Sequence, residues 1–95
     1  MHFLPNGTIV QLKGGNKKIM IFGRMQTQAD TGQVWDYIAC LYPEGLLNPN
    51  QVYLFNQEQV EQVIFTGFQD MEELAYNQFL QELKQQGDSE LKKEE

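Results

Sequence analysis

The sequence has one cysteine, Cys40, and no long hydrophobic run. A single cysteine excludes an intramolecular disulfide, so nothing in the chain indicates an oxidising compartment. The charged-then-apolar pattern of a secretory leader and the run of about 20 apolar residues of a membrane helix are both missing. We therefore expect a reduced, soluble and cytoplasmic protein.

The residues of hydrolytic and metal chemistry are equally scarce. His2 is the only histidine and Ser89 the only serine, so neither a Ser-His-Asp triad nor a Cys-His pair is predicted. One His and one Cys cannot supply the ligands of a zinc site, and neither a calcium-loop motif nor a phosphate-binding glycine motif is present. We predict no catalytic residues, no metal ligands and no cofactor, and we expect that the protein is not an enzyme.

Basic side chains are also few. Seven Lys and Arg stand against thirteen Asp and Glu, and the formal net charge is −6. Residues 58–95 carry ten of the acidic side chains and only three of the basic ones. Proteins that bind nucleic acids or anionic membranes need Lys and Arg to neutralise phosphate groups. We expect neither nucleic acid nor a membrane as a partner.

The chain does contain a series of short β-branched and aromatic runs separated by turn residues. Pro5, Asn6 and Gly7 precede the first run, and Gly14 and Gly15 join it to the second, a pattern typical of a β-hairpin. A polar loop leads to a third run, in which both alternating faces are largely apolar. The pattern predicts five strands, over residues 7–13, 18–25, 34–42, 51–55 and 63–67.

Helical signals occur twice. Asn56 and Gln59 have the spacing of a capping box and predict a short helical turn over 57–62, and Asp70 and Glu73 repeat that spacing. A helix is predicted over 70–86 and is ended by Gly87. The apolar face of this helix consists of Tyr76, Phe79, Leu80 and Leu83.

Together these elements predict a single α+β domain over residues 1–86, followed by a disordered acidic tail over 87–95. The domain is either a small antiparallel β-sheet or an SH3-like half-open barrel of about five strands, with a C-terminal amphipathic α-helix. The sequence leaves open whether this helix packs on its own sheet or on another protein.

Aromatic side chains are the most informative class, with six Phe, four Tyr and one Trp. Those on the predicted strands pair most economically across strands in the core. A small domain has little interior, and Tyr and Trp are enriched at the centres of protein interfaces. Two consecutive leucines in a loop between prolines add an apolar anchor. The candidate partner-binding residues are Tyr42, Leu46, Leu47, Tyr53, Tyr76, Phe79 and Leu83.

Several short motifs carry a resemblance to a known family. They are Leu4-Pro5-Asn6-Gly7-Thr8, Lys18-Ile19-Met20-Ile21-Phe22-Gly23-Arg24, Trp35-Asp36-Tyr37, Leu41-Tyr42-Pro43-Glu44-Gly45 and Val63-Ile64-Phe65-Thr66-Gly67-Phe68. With them the chain resembles a family of small proteins of Gram-positive bacteria, a domain of unknown function. Genes of this family lie near type VII secretion genes and genes for toxins with an LXG export domain.

The resemblance implies a cytoplasmic accessory protein of type VII secretion. Such a protein is an adaptor or chaperone that binds an LXG toxin or a small helical secretion partner before export, and no catalysis is implied. The acidic C-terminal part leaves a second function open, that of an immunity protein whose carboxylates block a basic toxin surface. A homodimer is also left open.

Overall fold

The chain forms two compact units, and we describe each by itself. The computed structural model describes residues 1–94, with side chains as far as Gly87. The sheet unit is Leu4–Phe68, and the helix unit combines Met1–Phe3 with the residues from Gln69 onward. The single domain over 1–86 stays a prediction.

The sheet unit is an open antiparallel sheet of five strands in the order β4-β3-β2-β1-β5. The strands are β1 (Ile9–Leu12), β2 (Ile19–Thr27), β3 (Val34–Leu41), β4 (Tyr53–Phe55) and β5 (Val60–Phe65). With the helix that follows, this confirms the α+β fold class and the small antiparallel sheet. β4 and β5 lie at opposite edges of the strand order, so the sheet is open.

The core of the sheet unit follows from the register of its central strands. Ile21 lies opposite Ala39, and Tyr37 lies opposite Phe55, so each pair shares one face of the sheet. The rings of Tyr37 and Phe55 are 5.3 Å apart between centroids. As predicted, these aromatic residues form a cross-strand pair in the core. The buried apolar side chains of this unit are Val10, Ile19, Ile21, Tyr37, Ala39, Cys40 and Phe55.

A tight turn leads into β1, where the sequence predicts one. The backbone N–H of Thr8 donates to the Pro5 carbonyl oxygen at 3.2 Å, and Gly7 between them has a φ of +90°. A turn of this kind needs a residue that accepts positive φ at its third position, which explains the glycine. The Thr8 side-chain oxygen then accepts a hydrogen bond from the Gly67 N–H at 3.0 Å, so the turn is joined to the end of the unit.

The segment before β5 differs from its prediction. The helical turn expected over 57–62 is only a 3-10 helix over Gln57–Gln59, and β5 begins at Val60 rather than at residue 63. The Gln59 side-chain oxygen does accept a hydrogen bond from the Asn56 N–H at 2.8 Å, as the capping spacing predicts. The turn ends early because Val60 pairs with Leu12 on β1, and a β-branched side chain favours that extended backbone.

The helix unit contains one helix, α1 (Met71–Glu94). The Glu73 N–H donates to Asp70 Oδ1 at 3.0 Å, which confirms the predicted N-terminal cap. The helix continues beyond Gly87, where the sequence predicts its end, because glycine within a helix costs only about 1 kcal/mol relative to alanine. The disordered tail predicted over 87–95 stays a prediction, and its last residue lies outside the described residues. No helix among the described residues is long and apolar enough to cross a membrane.

The side chain of Asn77 on α1 holds the first residues of the chain by hydrogen bonds. Asn77 is 1% exposed, and its Oδ1 accepts a hydrogen bond from the Phe3 N–H at 3.1 Å. Its Nδ2 donates to the Phe3 carbonyl oxygen at 2.6 Å. Both backbone groups of Phe3 are therefore satisfied by a single side chain.

Candidate protein-binding surfaces

Buried and half-buried polar groups gather where β3 meets the turn after β4. The Asp36 N–H donates to Asn56 Oδ1 at 3.0 Å, and Asp36 Oδ2 accepts from the Gln57 N–H at 2.9 Å. The Tyr37 hydroxyl accepts from the Leu4 N–H at 2.9 Å and donates to Gln57 Oε1. These bonds fix the turn within the sheet unit. In the described part of the chain, no group of three or more His, Cys, Asp or Glu side chains could hold a metal ion.

The Tyr37 hydroxyl makes stability sensitive to alkaline pH. Burial, assisted by the nearby Asp36 carboxylate, raises the pKa of Tyr37 from 10.0 to about 12. Between these values the unfolded chain gives up the proton while the folded chain retains it, so the free energy of unfolding falls as pH rises. The loss approaches 2 to 3 kcal/mol, at about 1.4 kcal/mol per pKa unit. Urea denaturation from pH 9 to 12 measures this slope, and Tyr37→Phe, which lacks the proton, should show a shallower one. Equal slopes in the two proteins would contradict the assignment.

A groove with an apolar floor lies on the sheet unit beside Tyr42. Two hollows of about 390 and 350 Å³ both have Lys18 and Tyr42 in their walls. We refer to them together as the Tyr42 groove. Carbon-rich walls beside an ammonium group suit an apolar side chain that lies next to a carboxylate. The residues that line it are Ile9, Asn16, Lys17, Lys18, Tyr42, Pro43, Ile64 and Phe65.

Backbone pairing holds the walls of the Tyr42 groove in place. The Tyr42 N–H donates to the Lys18 carbonyl oxygen at 3.0 Å, which extends the ladder between β2 and β3. On the other wall, Phe65 lies opposite Ile9 in the ladder between β1 and β5. Three of the lining residues, Ile9, Ile64 and Phe65, lie on strands, and the other five lie in the segments directly before β2 and directly after β3.

The rim of the groove carries an ion pair. Lys17 Nζ lies 2.8 Å from Glu44 Oε1, and both side chains are about two-fifths exposed. The hydrogen bond from Lys17 lowers the pKa of Glu44. A pair this exposed contributes little to stability, so we assign it no role in the fold.

Strand β5 is the most exposed strand of the sheet. It pairs with β1 on one side and stands at the end of the strand order. Residues 61–65, named here the β5 edge, are all exposed, and among them Val63, Ile64 and Phe65 are apolar. The ladder between β5 and β1 is interrupted by two register shifts, and such bulges hinder the pairing of an edge strand with another chain.

The other predicted binding residues of the sheet unit are exposed but do not line the Tyr42 groove. Leu46 and Leu47 lie in the loop after β3, with 52% and 67% of their surface exposed. Tyr53 lies on β4, at the edge of the sheet opposite β5, and is 40% exposed. Of the four candidates in this unit, only Tyr42 belongs to the groove, and a binding role for each stays a prediction.

On α1, the predicted apolar face divides into a buried part and an exposed part. Leu80 is buried, while Tyr76, Phe79 and Leu83 are 51%, 50% and 39% exposed. The latter three, named here the helix stripe, are spaced to share one side of the helix. The rings of Tyr76 and Phe79 are 6.0 Å apart between centroids. The helix stripe is thus an exposed apolar surface in the described structure.

Two groove residues, Ile64 and Phe65, are absent from the sequence-based candidates. Their apolar run predicts a strand, and side chains of such runs are normally buried on at least one face. Their exposure depends on β5 being an edge strand, which follows from the strand order. The local sequence offers one signal, namely that no lysine or proline protects the run.

An open antiparallel sheet, an exposed apolar strand and a helix with an exposed apolar stripe define a small α+β domain. The sequence matches the family described as a domain of unknown function, DUF4176, over residues 3–76, and the chain belongs to that family. The match includes the whole Tyr42 groove and ends at Tyr76 within the helix stripe. No curated protein and no solved structure matches the chain.

Proposed function

We propose that this protein is a non-enzymatic, protein-binding accessory protein. It acts as a cytoplasmic adaptor or chaperone of type VII secretion in a Gram-positive bacterium and holds an LXG toxin or a small helical secretion partner before export. The resemblance of its motifs to a family encoded near such genes supports the secretion context. The observation that carries the binding role is the helix stripe.

The helix stripe has the geometry of a helix-to-helix contact. Tyr76, Phe79 and Leu83 follow one another at intervals of three and four residues, and all three are substantially exposed. Amphipathic helices recognise partners through anchors at this spacing, because such side chains align along one side of the helix. Aromatic anchors contribute large contact areas, so two rings and one leucine suffice for the centre of a small interface.

The decisive experiment measures binding of purified protein to the LXG toxin domain, or to the small helical protein, encoded beside its gene. Isothermal titration calorimetry gives the dissociation constant for wild type and for Phe79→Glu. The new carboxylate lies in the centre of the stripe and must be desolvated on binding, so we expect affinity to fall at least about tenfold.

Gln78→Glu is the matched control. It introduces the same side chain at the neighbouring exposed position, outside the stripe. We expect its affinity to equal that of wild type. If neither secretion protein binds wild type, or if the two variants bind equally well, the proposal is wrong.

An immunity protein is the second candidate, favoured by the charge distribution. Ten of thirteen acidic side chains fall in residues 58–95, and such a surface accelerates association with a basic toxin domain. Co-expression with the mature toxin domain separates the two functions. An immunity protein restores growth, whereas an export adaptor leaves the cells intoxicated.

A further inference from the structure

We propose that the Tyr42 groove is a second docking site, and that it binds a peptide segment of a partner protein in which an apolar side chain stands directly beside a carboxylate. The groove belongs to the sheet unit, whereas the proposed function depends on the helix stripe of α1. Failure of one proposal therefore leaves the other unaffected.

The two hollows of the groove differ in the residues of their walls. The hollow of about 350 Å³, named here the apolar hollow, adds Ile9, Ile64 and Phe65 to the shared Lys18 and Tyr42. Ile64 is 39% exposed and Phe65 is 58% exposed, so both offer apolar surface that a ligand can remove from water. This hollow suits the apolar side chain of the segment.

The hollow of about 390 Å³, named here the lysine hollow, suits the carboxylate. Asn16, Lys17 and Pro43 complete its walls beside Lys18 and Tyr42. The amide of Asn16 and the hydroxyl of Tyr42 are hydrogen-bond donors, and the two ammonium groups make charge-assisted hydrogen bonds to carboxylate oxygens. Because Lys18 and Tyr42 line both hollows, neighbouring side chains of one peptide can occupy the two hollows together.

The charge distribution of the sheet unit selects an anionic ligand. Residues 4–68 contain four basic side chains, and Arg24, which is 7% exposed, is the one that lies outside residues 13–18. The other three, Lys13, Lys17 and Lys18, are exposed in the turn between β1 and β2. On a chain of net charge −6, this turn is where the sheet unit attracts a carboxylate.

The ion pair at the rim shows how a carboxylate is held here and which lysine stays available. Lys17 Nζ lies 2.8 Å from Glu44 Oε1. Among residues 1–87, whose side chains are described, no carboxylate forms an ion pair with Lys18. Lys18 is therefore the ammonium group that a ligand finds without a competing anion.

The exposure of the walls favours a protein segment over a small molecule. Sites for small molecules bury about 70–90% of the surface of their ligand. Walls as exposed as those of Tyr42, at 38%, and Phe65, at 58%, cover only one side of a ligand. A peptide segment presents one side to such a groove and keeps the other against its own protein.

NMR titration of the isotope-labelled protein tests the site. The probe is the acetylated and amidated hexapeptide Gly-Phe-Glu-Phe-Glu-Gly. At low salt we expect a dissociation constant below about 1 mM, with the largest shifts at the amides of Lys18, Tyr42 and Phe65. The same peptide with glutamine in place of glutamate should bind about fivefold more weakly, because it offers no charge to the ammonium group.

Two pairs of matched variants test the walls. Lys18→Gln should weaken binding about three- to fivefold, whereas Lys13→Gln, in the same turn but outside the groove, should bind like wild type. Tyr42→Ala should weaken binding at least about fivefold through lost contact area. Tyr53→Ala is its control, since Tyr53 is 40% exposed and lies on β4. Circular dichroism establishes that all four variants are folded.

A fifth variant should increase the affinity. Glu44→Gln removes the anion that occupies Lys17, so the peptide gains a second ammonium group and should bind about two- to threefold more tightly. A purely structural role of these residues does not produce such a gain.

Four results would overturn the proposal. They are shifts at the helix stripe instead of the groove or no shifts up to about 5 mM peptide, equal binding of the glutamine peptide, equal binding by Lys18→Gln and Lys13→Gln, and a Glu44→Gln protein that binds no more tightly than wild type. Phenylpropionate serves as a small-molecule probe. If it binds as tightly as the hexapeptide, the groove is a small-molecule site and the peptide proposal is wrong.

Discussion

Replacing Gly67 by alanine is expected to lower the free energy of unfolding by about 3 kcal/mol, the upper end of the usual cost of overpacking. A Cβ at this position would lie 2.2 Å from the Asn6 carbonyl oxygen and 3.0 Å from the Gly7 carbonyl carbon. Both are backbone atoms of the turn before β1, so the clash cannot be relieved by rotating a side chain. The turn must move, and the hydrogen bond from the Gly67 N–H to Thr8 would weaken with it.

Urea denaturation followed by Trp35 fluorescence measures the change, which corresponds to a fall in melting temperature of roughly 12 to 24 °C for a protein of this size. Gly87→Ala is the control. A Cβ at Gly87 meets nothing within 4 Å, and alanine favours the helix, so this variant should be neutral or slightly more stable. A Gly67→Ala protein as stable as wild type would show that the approach of the two segments is looser than described.

Replacing Asn77 by alanine is expected to cost a similar amount, about 3 kcal/mol within the helix unit. The side chain is 1% exposed and serves both the N–H and the carbonyl oxygen of Phe3. Loss of a partner costs each buried polar group about 1 to 3 kcal/mol. Hydrogen exchange should reveal the effect first at the Phe3 amide, whose protection depends on Asn77.

Two further variants identify the cause. Gln78→Ala removes an exposed amide from the next position of α1 and should leave stability unchanged within about 0.5 kcal/mol. Asn77→Asp retains an oxygen that accepts from the Phe3 N–H but has no donor for the Phe3 carbonyl, so its stability should lie between those of wild type and Asn77→Ala. If Asn77→Ala and Gln78→Ala lose equal amounts of stability, the two hydrogen bonds between Asn77 and Phe3 make no net contribution to the free energy of unfolding.

The features that local sequence predicts are those with local causes. The turn at Gly7 and the cap at Asp70 each depend on neighbours within three residues, and both are found where expected. The cross-strand pair of Tyr37 and Phe55 follows from alternation once the strands are placed.

Features with distant partners could not be predicted. In the sequence Asn77 is an ordinary polar helix residue, because its hydrogen-bond partner Phe3 is 74 positions away in the chain. In the sequence Gly67 indicates only the end of a strand, because the backbone of Asn6, which approaches it closely, is distant in the chain. The exposure of Phe65 depends on which strand ends the sheet, and that order is set by long-range pairing. The helix stripe could therefore be predicted from the spacing of its residues along one helix, whereas the exposure of Ile64 and Phe65 could not.

The pairing of Phe3 with Asn77 also determines which part of the chain can fold last during synthesis. A ribosome that adds about 5 to 20 residues per second needs roughly 4 to 15 s to travel from one partner to the other. β1, β2 and β3 are all synthesised within that interval, so they can pair before α1 is complete, while the first residues of the chain wait for α1. The helix unit is thus the last part of a nascent chain to close, and until it does, Phe3 is accessible to any protein that binds unfinished chains.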